Sequence, residues 1–166
     1  MDAEQDTNGI TLQRVEPTDR EFLLQVYAAG REVELSLVPW DESMKRAFVE
    51  HQFDAQDAFY QAEMPGSTQD VILSAGEPVG RLYSYRAADE IAILDLAILP
   101  QFRRKGIAST VIRNLQSEAG KSRKGIRIYI ESFNPSASLL TKLGFRLASD
   151  DGVNHRYQWQ PESPDR

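Results

Sequence analysis

The sequence predicts a fold of the α+β class, a mostly antiparallel sheet flanked by helices, and three observations carry that reading. The run "QDVILSAGEPVGRLYSYRAADEIAILDLAIL" holds three strand-like segments broken at Ala75-Gly76-Glu77 and Ala87-Ala88-Asp89, the pattern of a meander. Its last segment is apolar at nearly every position from Ile91 to Leu99, which predicts a central strand covered on both faces. Downstream, a helical spacing, an alternating strand, a short helix and two further strands follow one another to the end of the chain.

"ITLQRV", from Ile10 to Val15, alternates as a strand does, and "TDREFLLQVYAAG" has helical spacing, with Thr18 or Asp19 as cap and Gly30 as stop. A longer helix follows Trp40: Asp41 caps it, Met44, Phe48, Ala55 and Phe59 supply its apolar faces, and Pro65-Gly66 ends it. Gln52, Gln56 and Tyr60 recur every fourth residue and form one polar stripe, either solvent-facing or lining a substrate groove. After the meander, Ile107, Ala108, Val111, Ile112, Leu115 and Ala119 keep helical spacing up to Gly120. "GIRIYIESF" is a strand with Ile126, Ile128 and Ile130 on one face and Tyr129, Glu131 and Phe133 on the other. A short helix, "PSASLLTKLG", and the strands "FRLAS" and "NHRYQWQ" complete a single domain spanning residues 10–160, between flexible ends at 1–9 and 161–166. A chain of 166 residues is long enough to bury one real core.

Composition excludes several chemistries. Without cysteine there is no disulfide, thiolate zinc site or cysteine nucleophile, and with His51 and His155 the only histidines, no metal site is expected. "MDAEQDTNG" has neither the basic nor the apolar part of a signal peptide, and no apolar run is long enough to span a bilayer, so a soluble cytoplasmic protein without membrane attachment is expected. A net charge of -6 argues against nucleic acid as a partner. The charge is unevenly spread: residues 31–70 hold nine acids and three bases, residues 101–127 eight bases and one acid. Clustered like charges repel unless something compensates them, which suits a polyanion at one place and a cation at another.

The basic block is densest at Arg103, Arg104 and Lys105, set directly before Gly106 and the start of a helix. The first turn of a helix has unpaired backbone donors and a partial positive charge, so the cations reinforce an existing preference for anions. No Lys-Ser/Thr follows the glycine as in a P-loop, and there is no G-x-G-x-x-G of a dinucleotide fold.

Together with the order of elements, two motifs carry a resemblance. Arg103-Arg104-Lys105-Gly106-Ile107-Ala108 opens a helix after a strand, and Asn134 with Ala137 and the closing "KLGF" of Lys142 to Phe145 follows the next strand. Over residues 10–160 the chain resembles the GNAT superfamily of acyl-CoA-dependent N-acyltransferases. The resemblance implies a three-layer arrangement around a mixed, mostly antiparallel sheet, an N-acetyltransferase domain, and acetyl-CoA as the acyl-donor cosubstrate. It implies that the segment Arg103, Arg104, Lys105, Gly106, Ile107, Ala108 and Ser109 receives the diphosphate, and that the backbone at Leu96 and Ile98 bonds the pantetheine arm and faces the thioester oxygen. Asn134 resembles the residue that meets the same arm, and as a helix N-cap before Pro135 it has a structural use as well.

The acid–base groups are less well marked. Positions matching the family's base on its central strand are Ala92 and Leu94, neither of which accepts a proton, and Asp95 faces the other way as a buried acid satisfied by a neighbour. Glu131, acting through water, is the expected base; because the residue matching the family's tyrosine acid is Leu140, either Tyr129 on the same face or Tyr157 replaces that acid, or the thiolate leaves unassisted. The region from Arg31 to Tyr60 matches the acceptor-binding part, with Trp40 as an aromatic wall or a core anchor and Gln52, Gln56 and Tyr60 as polar contacts. Its acidity suggests a cationic amine acceptor. The resemblance admits a homodimer, which no residue here demands.

Overall fold

The computed structural model describes residues 9–131 and 136–162. Strand β1 (Ile10–Arg14) pairs antiparallel with β2 (Thr68–Ser74), from Ile10↔Ser74 to Arg14↔Asp70. The last pair is also an ion pair of 3.1 Å. Ala75 and Gly76 both take positive φ, 50° and 82°, the conformation a two-residue hairpin turn needs, and join β2 to β3 (Glu77–Arg86). After the second turn comes β4 (Glu90–Ile98). The helix that follows, α4 (Ile107–Lys121), provides the crossover that a parallel pair requires, and β5 (Gly125–Glu131) lies parallel to β4. Strands β6 (Arg146–Asp150) and β7 (Asn154–Trp159) complete one seven-stranded sheet ordered β1-β2-β3-β4-β5-β7-β6, mixed and mostly antiparallel, with helices flanking it. The α+β expectation holds.

The chain divides into two compact units. The first comprises residues up to Tyr83 together with Asp95–Ile107. Its helices are α1 (Arg20–Gly30), a short α2 (Glu32–Ser36) that the periodicity did not reveal, and α3 (Glu42–Glu63). Asp41 caps α3 as expected, accepting the Met44 N–H at 2.8 Å. Leu23, Leu24, Val49, Phe53 and Val71 form the core, with Tyr27 edge-on to Phe53. Outside it, the Arg20 and Arg46 forks grip Asp54 and Glu21, tying α1 to α3.

The buried face of α3 is thus Val49 and Phe53, not the expected faces: Met44 is 51% and Phe59 59% exposed. The reason is that the inward stripe continues in polar residues. Gln56, Asp57, Tyr60 and Gln61 sit where apolar side chains would be sought, and they serve two buried polar groups on β3, Arg81 and Tyr83.

The second unit comprises Ser84–Leu94 and the residues from Ala108 on. Ile91, Ala92 and Ile93 of β4, Val111, Ile112, Leu115 and Ala119 of α4, and Ile126, Ile128 and Ile130 of β5 are buried in it, as the two periodicities require. Helix α5 (Ser136–Lys142) ends in a Schellman turn: the Phe145 N–H donates to Leu140 O and the Gly144 N–H to Thr141 O, with Gly144 at φ 90°. Phe145 and Leu140 then pack inward at 2% and 1% exposure. Strand β5 pairs antiparallel with β7 from Ile126↔Trp159 to Glu131↔Asn154.

Candidate coenzyme site and acid–base residues

In the first unit the site grows from the end of β4. The parallel register joins β4 to β5 over Glu90–Ile93 and, among the described residues, no further. The remainder of the strand departs from the fully covered strand expected: Leu94, Asp95, Leu96 and Ala97 are all partly exposed. Leu99 N–H donates to Val79 O, so the carbonyl of the same peptide group, that of Ile98, points away from β3. The Arg103 Nε–H donates to it at 2.9 Å. Two residues expected to act separately, Arg103 on phosphate and Ile98 on the pantetheine arm, are therefore bonded to one another.

Beyond a 3-10 turn at Pro100–Phe102, Arg103, Arg104, Lys105 and Gly106 are exposed, and Lys105 Nζ lies 5.6 Å from the centre of the Phe102 ring. Arg104 and Gly106 both take left-handed φ, 62° and 80°. A side chain on Gly106 would meet no atom of the described residues within 4 Å, and its positive φ is what calls for glycine there. Ile107 then turns inward at 5% exposure, and Ala108 and Ser109 follow half-buried.

A residue not foreseen holds this strand. Gly80 on β3 lies so close to β4 that an added Cβ would stand 2.3 Å from the Ala97 carbonyl oxygen. Its signal in the sequence is a glycine inside an apolar strand, which marks close backbone approach.

Asp95 is satisfied by a neighbour as expected, but it is partly exposed, not buried; the buried member is its partner Arg81, 2% exposed, whose Nε–H donates to Asp95 Oδ2 at 3.0 Å. Gln56 Oε1 accepts from Arg81 at 2.7 Å, so this member of the stripe faces inward. Tyr60 packs edge-on to Tyr83 at 4.9 Å; burial, then the Asp95 charge, pushes its phenol pKa up. Gln52 is exposed, and Trp40 packs on Phe48 at 5.3 Å, both half-buried. A cavity of about 700 Å³ lies along α1, α2 and α3, but none of Trp40, Gln52, Gln56 and Tyr60 lines it. The acidity of residues 31–70 is partly compensated: Glu34, Glu50, Asp54 and Asp70 are ion-paired.

In the second unit Tyr129 is 52% exposed on β5, opposite Arg156, with the Arg127 guanidinium 5.5 Å from its ring centre. Glu131 ends the strand opposite Asn154; its side chain and the whole of Asn134 lie outside the described residues. Leu140 fills the core and offers no proton. Of the basic groups near the end of α4, Lys124 donates to Ala87 O at 2.8 Å, whereas Lys121 and Arg123 are exposed. Among the described residues no cluster of His, Asp and Glu is arranged to hold a metal, and no helix is long and apolar enough to cross a membrane.

Comparison with known proteins places this geometry. Among solved structures, the chain is similar to a PaiA N-acetyltransferase from Thermoplasma acidophilum in complex with coenzyme A (16% identity, TM-score 0.68, covering 91% of this chain and 98% of that one). It is similar too to an acetyltransferase from Thermus thermophilus (20%, 0.65, 91% and 96%). A third likeness is to the ribosomal-protein-S18-alanine N-acetyltransferase from Escherichia coli (16%, 0.61, 95% and 97%). At these identities the likeness is one of fold. No match was found among curated protein sequences. The model of the acetyltransferase (GNAT) family matches residues 33–145, which contain both β4 and the basic loop, and the chain therefore belongs to the GNAT acetyltransferase family.

Proposed function

We propose that the protein is an acetyl-CoA-dependent N-acetyltransferase that passes an acetyl group directly to a primary amine in a ternary complex. The observation that carries this reading is the end of β4: a strand in parallel register with β5 over Glu90–Ile93 among the described residues, whose partly exposed end leads into an exposed basic loop and a helix N-terminus. These residues fit a coenzyme of this class. The backbone at Leu96 and Ile98 would bond the pantetheine arm as an added strand does. Arg104, Lys105 and the first turn of α4, from Gly106 to Ser109, would hold the diphosphate, with Arg103 beside them.

Bound there, acetyl-CoA supplies the activated acetyl thioester. The amide of Leu96 or Ile98 donates to the acyl oxygen as negative charge develops on it, an interaction often worth about 3 kcal/mol. Glu131 takes the acceptor's proton through water, and Tyr129, whose side chain is open to solvent, returns a proton to the departing sulfur. Asn134 meets the pantetheine arm. With no cysteine in the chain, no thiol is available to carry the acetyl group between the two substrates. Gln56 and Tyr60, with Gln52 and Trp40, shape the acceptor side, and a cationic amine suits the acidic balance of that region.

A second reading has its own support. Ala92 and Leu94 stand where relatives carry a base, and Leu140, 1% exposed, where they carry an acidic tyrosine. These absences suit a protein that binds acyl-CoA without turning it over. A panel of primary amines with acetyl-CoA and a thiol-detecting dye separates the two. Thiol release that depends on both substrates, and falls at least tenfold in Glu131→Gln, is the expected result. Coenzyme uptake in calorimetry with no thiol release from any amine establishes the binder, and no uptake removes both readings.

A further inference from the structure

Arg81 is a guanidinium placed almost wholly out of water, in the middle of β3. Its Nε–H and Nη2–H both donate to Asp95 Oδ2, at 3.0 and 2.5 Å. Nη2 also reaches Gln56 Oε1 on α3 at 2.7 Å, and Nη1 reaches Gln69 Oε1 on β2 at 3.2 Å. The rings of Phe53 and Tyr83 lie 5.4 and 5.8 Å from it. One side chain thus ties β2, β3, β4 and α3 together. Only the Arg81 end of the pair is buried, Asp95 being 29% exposed, and desolvation of the guanidinium offsets much of the attraction, so apolar residues of similar volume would hold these elements about as well. Stability alone does not call for it.

Its consequence is for position. Asp95 is joined to Leu96 by the peptide group whose N–H is the Leu96 amide, and among the described residues these two lie outside the parallel register with β5, which runs from Glu90 to Ile93. We propose that Arg81 is a positioning residue, which through Asp95, and steadied by Gln56, sets where the Leu96 amide stands for the coenzyme. The inference rests on the coenzyme site proposed above. Gln56 acts here on the coenzyme side through Arg81, in addition to any contact it makes with the acceptor.

The test uses the full chain carrying Arg81→Met and Asp95→Leu together, which replaces the ion pair by an apolar one. The expected result is a protein melting at or above the wild-type temperature, with coenzyme A binding weakened at least tenfold in calorimetry. Amide exchange at Leu96 and Ile98, without coenzyme, is expected to be at least tenfold faster while Val71 and Ile72 exchange as before. Wild-type coenzyme affinity in that stable double variant overturns the proposal, since a merely structural pair would leave it unmoved. If the wild type takes up no coenzyme A, the proposed function falls, and the exchange rates decide alone: an unchanged rate at Leu96 overturns positioning. Should the double variant not fold, Gln56→Leu removes one of the acceptors, and the same shifts, several-fold in size, are expected; none would overturn it.

Discussion

The two halves of β4 have nearly the same apolar composition and opposite surroundings. From Ile91 to Ile93 the strand is buried, and this half is in parallel register with β5; from Leu94 to Ala97 it is partly exposed, and among the described residues Asp95 to Ala97 lie beyond that register. The first half is a core element, and its side chains matter. The second half acts through its backbone, so what matters there is whatever holds the main chain in place: Gly80 against Ala97, Asp95 on Arg81, and Arg103 on the Ile98 carbonyl. Hydrophobicity reports the first kind of duty and not the second.

The contrast can be broken most forcefully at Gly80. Gly80→Ala places a Cβ against backbone that has no side chain to move aside, and should cost about 3 kcal/mol of stability together with most coenzyme affinity. Calorimetry with coenzyme A beside thermal melting checks it; normal binding would mean that the second half tolerates displacement. Ile93→Ala should do the reverse, costing roughly 3 kcal/mol in stability while leaving coenzyme affinity where it was. Replacing Arg103 and Arg104 together by alanine should weaken acetyl-CoA tenfold or more, about 1.4 kcal/mol, with Arg103→Ala the larger of the single effects because it also frees the Ile98 carbonyl. Equal single effects would mean that charge alone is at work. Smallest is Glu90→Gln at the first half, which loses the Arg127 pair at 3.2 Å and should shift stability by about 1 kcal/mol or less, with binding unchanged.

Much of the fold was legible because its cues are local. The Ala75-Gly76 turn, the Asp41 cap, the alternation of Ile126, Ile128 and Ile130, and the Gly144-Phe145 ending of α5 each depend on a few neighbouring residues. The candidate site was legible where a motif carries it, at Arg103 to Ala108. At Gly80 the sequence carried a signal, a glycine inside a strand, without showing what it approaches, and at Arg81 it carried none, because their partners on β4 lie more than a dozen residues away. Nor was the inward turn of Gln56 legible, since a polar stripe reads as a solvated one unless a buried cation is known to wait beneath it.

The sequence by itself determined the order of the strands and of every helix but α2, and the concentration of positive charge before Gly106, because periodicity, turn chemistry and charge are properties of adjacent residues. Only the tertiary structure decided which half of β4 is covered, which face of α3 is internal, and that Asp95 is held by Arg81 on the neighbouring strand. Those outcomes depend on which backbone and side-chain groups meet across the sheet, and hydrogen bonding between distant residues leaves no pattern in the sequence around either partner.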